Sequence, residues 1–210
     1  MQVRLSASAE HPDYTALNIH DLVELLARPE PAPAAGTVVG LSIALAGALC
    51  VKSARLSSRH TPTALELQQR AERLVIRAKE LAQSDAEGYA QVIAARRHQR
   101  GQPATPSLAP GMASALRAAS ETPFELAKIA VATGAIAAQL AEIGNPNLIG
   151  DSLTAAHLAD AAVRSAAALI AINLASLLSA TQALTLADLT KQSQENIQRA
   201  QRAHTTRLSL

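Results

Sequence analysis

The residue whose position best suits chemistry is an aspartate inside an apolar helical pattern. Steps of three and four trace one face that reads Leu67, Ala71, Leu74, Ala78, Leu81, Asp85, Gly88 and Val92. This spacing is typical of the buried face of an amphipathic helix. Burial disfavours an ionised carboxylate and raises its pKa, which would suit Asp85 to proton transfer. The alternative is that the apolar face ends near Leu81 and that Asp85 is solvated or paired with an arginine.

Other polar residues have simpler explanations. Asn173 lies in an uncharged run, residues 165–187, where an interhelical hydrogen bond that fixes helix register is the simplest role. Asp151 is suited to cap a helix N-terminus, and Glu87 points away from the apolar face. The six histidines lack metal-ligand spacing and Cys50 is the only cysteine, so we expect no metal site.

The composition predicts the scaffold that must position these residues. The chain has 210 residues, of which 49% are hydrophobic, 47 are alanine and only three are aromatic. Alanine and leucine favour helix, and the scarcity of β-branched and aromatic residues disfavours a β-sandwich or barrel. We therefore expect an all-α, single-domain, up-and-down bundle of about six or seven helices. Residues 1–15 are expected to form a flexible arm and residues 16–205 the helical domain.

Breaker residues predict the helix ends. Prolines near residue 30 and the loop 99–111 should separate helices, and Gly144-Asn145-Pro146 should end another. The Thr122-Pro123-Phe124-Glu125 segment has the form of a capping box, which predicts a helix start after an interruption at Ser120. Gly36 and Gly40, four residues apart, should allow a neighbouring helix to approach closely.

Charge and hydropathy limit the partners. The net charge is only +2, and no basic run with interleaved aromatics is present, so nucleic-acid binding is not expected. Residues 34–51 and 165–187 are uncharged and long enough to span a membrane, but small residues dominate both and no aromatic belt flanks them. We interpret them as buried bundle helices of a cytoplasmic protein rather than as membrane spans.

Several segments, in order, resemble the cyclodeaminase/cyclohydrolase family, which includes the C-terminal domain of formiminotransferase-cyclodeaminase and methenyltetrahydrofolate cyclohydrolases. Asp85-Ala86-Glu87-Gly88-Tyr89 is similar to that family's Asp-Ala-Glu-Ala-Phe segment. The other matching segments are Asp21-Leu22-Val23-Glu24-Leu25-Leu26-Ala27, Pro31-Ala32-Pro33, Pro123-Phe124-Glu125-Leu126-Ala127, Gly144-Asn145 followed by Asp151, and Ile172-Asn173-Leu174.

The resemblance implies an enzyme that acts on a cyclic amidine or iminium carbon, most simply that of methenyl- or formimino-tetrahydrofolate. It implies a homodimer with the folate groove near the dimer interface, and no cofactor beyond the tetrahydrofolate substrate. Asp85 would be the general base, as either a C–N hydrolase or an ammonia-lyase requires. The substrate-binding candidates are Gly36, Thr37, Tyr89, Asn145, Asp151 and Asn173.

The chain departs from the family pattern where folate would bind. Ala34-Ala35-Gly36-Thr37 replaces a Gly-Gly-Gly-Ser turn, and Leu169 stands where an asparagine is usual. If the first two turn positions need positive φ, alanine is strained there. Thr37 could still cap the following helix, whose N-terminus could receive a folate carboxylate. Two alternatives therefore remain: the same fold acting on a non-folate metabolite, and a non-catalytic helical dimer that serves as a partner protein.

Overall fold

A computed structural model describes residues 12–100 and 109–208, which form six α-helices and two short 3-10 turns and no strand. The helices are α1 Ile19–Leu26, α2 Ala35–Arg55, α3 Ala64–Arg100, α4 Pro110–Ile143, α5 Ile149–Leu174 and α6 Ala180–Leu208. The 3-10 turns are Pro146–Leu148 and Ala175–Leu177. The all-α single-domain prediction is confirmed.

The long helices form one bundle around α4. Helix α4 packs against α3, α5 and α6, and α2 packs against α3 and α5. Two neighbouring clusters of buried side chains fill the interior, and both are rich in alanine. Alanine side chains let helix backbones approach closely, so a core forms with almost no aromatic contribution.

The contact between α2 and α3 depends on glycine. A Cβ at Gly40 would lie 2.7 Å from the Cβ of Ala82, and one at Gly47 would lie 2.7 Å from Cγ2 of Val75. Both separations are far below van der Waals contact, so any larger residue would push the helices apart. The close approach expected at Gly40 is confirmed, and it presses α2 onto the face of α3 that carries Asp85.

The predicted interruption at Ser120 is wrong. Helix α4 continues through Thr122, and Pro123 lies inside it with its side chain fully buried. The capping-box pattern has the right residue types, but the helix before it is held in place by packing against α3 and α5. Tertiary burial therefore outweighs the roughly 3 kcal/mol that an internal proline costs a helix.

Three segments are long and apolar enough to span a membrane by length and composition: α2, α4 and Pro146–Leu174. Within the bundle, 67% of the apolar window of α4 is buried, compared with 50% for α2 and 44% for Pro146–Leu174. Helix α4 is thus the central helix, while α2 and α5 each leave one apolar side at the surface.

Part of the predicted N-terminal arm lies outside the described residues, which begin at Pro12. Tyr14 is only 2% exposed, and its backbone amide donates a 3.1 Å hydrogen bond to Oε1 of Gln83 on α3. Tyr14 therefore packs on α3 next to the turn that carries Asp85.

Candidate functional site

The carboxyl group of Asp85 lies against the N-terminal turn of α2. A Cβ added at Gly36 would overlap the Asp85 carboxyl group, so only glycine leaves the space that this side chain occupies. The backbone amide of Thr37 donates a hydrogen bond to the carboxylate. Asp85 thus takes up one of the amide donors that a helix N-terminus leaves free.

Burial governs the electrostatics of this carboxyl group. Desolvation raises the pKa of Asp85 to about 6, and the hydrogen bond from the Thr37 amide opposes the rise only in part. Among the described residues, no lysine, arginine or histidine forms an ion pair with it. A carboxyl group with a pKa near 6 can both accept and donate a proton close to neutral pH.

Thr37 does not act as the cap that its position suggested. The N-cap of α2 is Ala34, which provides no side-chain hydrogen bond, and Thr37 lies within the first turn. Its side chain is fully buried, and its Oγ1 has no hydrogen-bond partner among the described residues. The helix N-terminus that could have received a folate carboxylate is instead occupied by the carboxylate of Asp85.

The two alanines that replace glycines in the turn are not strained. Ala34 has φ −133°, and the only non-glycine residue with positive φ among the described residues is Ala175. The change from glycine therefore carries no backbone penalty, since extended and helical conformations suit alanine equally well.

Helix register shows which other candidates lie near Asp85. A Cβ at Gly134 on α4 would lie 3.5 Å from the Cβ of Ala159 on α5, so these residues mark where the two helices meet. Asn173 lies roughly 20 Å beyond that level along α5, and Ala119 lies roughly 20 Å before it along α4. Because α4 and α5 run antiparallel, both residues lie at the same end of the bundle. Ala119 in turn faces Gly88 on α3, because a Cβ built at Gly88 would lie 3.8 Å from the Cα of Ala119.

One end of the bundle therefore holds five of the seven candidates, and we call it the carboxylate end. Its candidates are Gly36, Thr37, Asp85, Tyr89 and Asn173. Tyr89 and Asn173 are both half-buried. The Asn173 side chain makes no hydrogen bond to any other described residue, so its amide is available to a ligand.

The other two candidates lie at the opposite end of α2, which we call the turn end. Asn145 donates its backbone amide to Oγ of Ser57 at 2.8 Å and its side-chain amide to the Leu56 carbonyl at 3.1 Å. Asp151 forms a 2.7 Å ion pair with Lys52. The 21-residue helix α2 is about 30 Å long, so within one chain these residues do not reach Asp85.

The expected capping role of Asp151 is also wrong. The N-cap of α5 is Leu148, which makes no side-chain hydrogen bond, and Asp151 lies within the first helical turn. A carboxylate in that turn still interacts favourably with the helix dipole. Asn145 instead caps the short 3-10 turn, where its side-chain oxygen accepts from the Asn147 amide at 3.0 Å.

Comparison with known proteins identifies the architecture. The family model described as formiminotransferase-cyclodeaminase matches residues 18–199. The chain belongs to the formiminotransferase-cyclodeaminase family. Among solved structures it is similar to the crystal structure of formiminotetrahydrofolate cyclodeaminase from Thermotoga maritima, with a TM-score of 0.79 and 22% identity. That match covers 92% of this chain and 98% of the other, and it establishes the shared fold. No curated protein sequence matches the chain.

This member of the cyclodeaminase family holds a second buried carboxylate that the sequence reasoning missed. Asp160 on α5 is 4% exposed, accepts a 2.8 Å hydrogen bond from Oγ of Ser193 and forms an ion pair with Arg164. The four-residue spacing of Asp160 and Arg164 on one helix was the available signal. Because its charge is compensated, Asp160 ties α5 to α6 rather than offering a reactive group.

The carboxylates of this cyclodeaminase-family chain are not grouped with other metal-binding side chains. Across residues 12–100 and 109–208, no group of three histidine, cysteine, aspartate or glutamate side chains could hold a metal ion.

Proposed function

We propose that this chain is a cyclodeaminase/cyclohydrolase-type enzyme that acts on formimino- or methenyl-tetrahydrofolate, with Asp85 as its general base. The observation that carries the proposal is the carboxyl group of Asp85. It is half-buried against the N-terminus of α2, has no cationic partner among the described residues, and its desolvation raises the pKa to about 6. Family membership supports the substrate class, and the uncompensated charge supports the role of the residue.

The reaction needs a group that handles protons on two nitrogens. In the cyclodeaminase reaction a neighbouring nitrogen attacks the formimino carbon and loses a proton, and the former imino nitrogen gains protons and leaves as ammonia. Ionised Asp85 can accept the first proton and return it to the departing nitrogen. The carboxylate also stabilises the cationic amidine carbon, because no protein cation neutralises it in its partly desolvated setting.

We favour ammonia elimination over hydrolysis as the reaction of this site. The family model and the similar solved structure are both described as cyclodeaminases, which favours elimination. The Asp85 carboxyl group, with a pKa of about 6, could act as base and then as acid in either reaction. Hydrolysis of the methenyl carbon, in which Asp85 activates water, is the alternative. Both reactions use the same carboxylate, and neither requires a cofactor besides the tetrahydrofolate substrate.

The distribution of aromatic residues supports a ring-bearing substrate. The three aromatics in the sequence are Tyr14, Tyr89 and Phe124. Tyr14 packs on α3 at Gln83, Tyr89 follows Asp85 by about one turn, and Phe124 follows the buried Pro123 on α4. All three therefore belong to the carboxylate end. Tyr89 and Phe124 are half-buried, so a pterin or benzoyl ring can stack on them, whereas Tyr14 is buried. A non-folate metabolite is the alternative, and weak binding of reduced folates would favour it.

We further propose that the enzyme is a cytoplasmic homodimer formed through the exposed side of α2. This side carries Val38, Leu45 and Leu56, which are 40%, 62% and 53% exposed, and no charged residue precedes Lys52 on the helix. It borders a groove of about 670 Å³ between α2 and α3. In a two-fold contact centred on Leu45, the two copies of α2 would run antiparallel. The Lys52–Asp151 pair of one copy would then lie near Val38 and Thr37 of the other copy. The predicted substrate-binding roles of Asn145 and Asp151 depend on such a contact.

The test of the catalytic proposal compares wild type with Asp85→Asn. Conversion of formiminotetrahydrofolate to methenyltetrahydrofolate is followed by absorbance, with methenyl hydrolysis measured in a separate assay. Loss of a general base should lower the rate by about 10²–10⁴-fold while the fold is retained. Equal rates for the two proteins would remove Asp85 from the mechanism. Wild-type protein that neither binds nor converts either folate would exclude the substrate class.

The test of the dimer uses Leu45→Lys, with Leu65→Lys as the matched control. Leu65 on α3 is also 62% exposed but lies outside the α2 surface. Light scattering should give a dimer mass for wild type and for the control, and a smaller mass for Leu45→Lys, because a buried lysine opposes the contact. A monomeric wild type would rule the dimer out.

A further inference from the structure

A proline inside α4 leaves a backbone carbonyl without its usual donor at the carboxylate end. Pro123 has no N–H, so it cannot form the helical hydrogen bond to the carbonyl of Ala119, four residues earlier. The Pro123 side chain is fully buried, and Ala119 is half-buried. The carbonyl therefore lies beside a buried proline ring rather than in bulk solvent.

The helix register brings that carbonyl close to Asp85. A Cβ built at Gly88 would lie 3.8 Å from Cα of Ala119, so α3 meets α4 at this level. Apart from its own helix and its chain neighbours, that Cβ would have no other atom within 4 Å. Leu81 of α3 lies in the same core cluster as Leu126 of α4, which shows that the two helices run antiparallel.

The direction of the carbonyl follows from this arrangement. Helical carbonyls point toward the C-terminus of their helix, so the carbonyl of Ala119 points from the level of Gly88 toward that of Asp85. Asp85 lies three residues before Gly88, about 4.5 Å along α3. The small glycine keeps the space between the two helices open. The register thus places the carbonyl oxygen of Ala119 at about the level of the Asp85 carboxyl group, and both groups accept hydrogen bonds.

We infer that the main-chain carbonyl of Ala119, freed by Pro123, is a substrate-binding group that accepts a hydrogen bond from the N–H of the departing formimino nitrogen. The inference rests on the proposed cyclodeaminase function and adds to it a specific contact. That nitrogen carries N–H groups from the amidine to ammonia, so it offers a donor at every stage. While Asp85 exchanges its proton, the carbonyl holds the nitrogen in place.

This contact distinguishes three reduced folates by their chemistry. Formiminotetrahydrofolate has an N–H on the reacting group, whereas methenyltetrahydrofolate has none on its reacting carbon. Formyltetrahydrofolate replaces the imino nitrogen with oxygen, which would face the Ala119 carbonyl as a second acceptor. Facing acceptors repel each other, and a buried acceptor left without a donor weakens binding.

The experiment restores the missing N–H with Pro123→Ala and Pro123→Ser. In both variants residue 123 should donate to the Ala119 carbonyl and withdraw it from the substrate. Pro110→Ala is the matched control, because Pro110 begins α4, where an N–H is not needed. Circular dichroism establishes that each protein folds. Turnover of formiminotetrahydrofolate and equilibrium binding of all three folates are then measured.

We expect the Pro123 variants to lose about tenfold in kcat/KM for formiminotetrahydrofolate, as expected for one hydrogen bond. Their affinity for methenyltetrahydrofolate should change less than about twofold, and Pro110→Ala should match wild type. Unchanged turnover in the Pro123 variants would overturn the inference. An equal loss for the formimino and methenyl ligands would also overturn it, since that pattern indicates lost packing of the proline ring.

Wild-type protein provides an independent measurement. It should bind formiminotetrahydrofolate at least about tenfold more tightly than formyltetrahydrofolate, and equal affinities would overturn the inference even if no variant folds. A preference that persists unchanged in folded Pro123 variants would come from Asp85 and would overturn the inference. A preference that is lost in those variants, in a protein that does not convert the formimino compound, would count against the proposed function while supporting the Ala119 contact.

Discussion

The two ends of α2 hold carboxylates in opposite settings. At the carboxylate end, Asp85 is pressed against Gly36 with an amide donor from Thr37 but no cation among the described residues. At the turn end, Asp151 forms an ion pair with Lys52, whose side chain is 56% exposed. Uncompensated burial raises the pKa of Asp85 to about 6 and leaves its charge available to a ligand.

Asp160 shows that burial alone does not create a reactive group. It is 4% exposed, and Arg164 and Ser193 satisfy its oxygens. A buried charge with its own partners stabilises a helix contact, whereas a buried charge without a cation has free energy to gain from a cationic substrate. The difference between Asp85 and the other two carboxylates is therefore a difference in partners.

The largest effect should come from the glycine that makes room for Asp85. In Gly36→Ala the new methyl group overlaps the carboxyl group, so the side chain must move and the contact with α2 must loosen. We expect about a 100-fold loss of turnover, since displacements near 1 Å have effects of that size. We also expect a loss of about 1–3 kcal/mol in the free energy of unfolding, measured by urea denaturation.

Gly150→Ala provides the matched control for this change. Gly150 lies in the first turn of α5 at the turn end, and a Cβ there would meet nothing within 4 Å. Its turnover and stability should stay near those of wild type. Similar losses in both variants would show that the effect comes from helix backbone rather than from Asp85.

The next effect concerns stability as a function of pH. The native pKa of Asp85 is raised from 3.8 to about 6, so its favourable contribution is full below pH 3.8 and is lost as pH rises through 6. The asparagine side chain of the Asp85→Asn variant does not ionise. The stability of the variant relative to wild type should therefore increase by about 2–3 kcal/mol between about pH 3.5 and pH 8.

Denaturation at several pH values checks this prediction. A constant difference between the two proteins across the range would mean that the native and unfolded pKa values of Asp85 are equal. In that case the contrast between the two ends of α2 would not be electrostatic.

A smaller effect should appear in the pH dependence of the rate. If ionised Asp85 is the base, kcat/KM for the folate substrate should fall about tenfold per pH unit below pH 6. A buffer series on wild type measures the midpoint. A midpoint near about pH 4 would indicate a solvated carboxylate and would contradict the raised pKa of Asp85.

The smallest effect belongs to the turn end. Because the Lys52–Asp151 pair is partly exposed, Asp151→Asn should change the free energy of unfolding by less than about 1 kcal/mol. Thermal denaturation measures this change. A loss of turnover without a loss of stability would place Asp151 in the substrate site and would require the α2 contact between two copies.

Local patterns predicted the helices and the buried face of α3 because alanine content and three-to-four spacing report directly on helix formation and amphipathicity. They failed at Pro123, where a valid capping sequence lies inside a continuous helix held by its neighbours. They also assigned the first turn of α2 to a folate carboxylate, because no local pattern reveals that a side chain from α3 fills that position.

The amino-acid sequence alone predicted that the chain is helical and that its helices pack closely, and it placed Asp85 on an apolar helix face while leaving open whether that residue is solvated. These properties depend on propensity and periodicity, which act over a few residues. Which groups lie beside each carboxylate follows from the three-dimensional packing. It brings Asn173 to the carboxylate end and separates Asn145 and Asp151 from it by about 30 Å. The groups that neighbour each carboxylate depend on helix register and on the space left by single glycines such as Gly36. Both depend on the packing of the whole bundle.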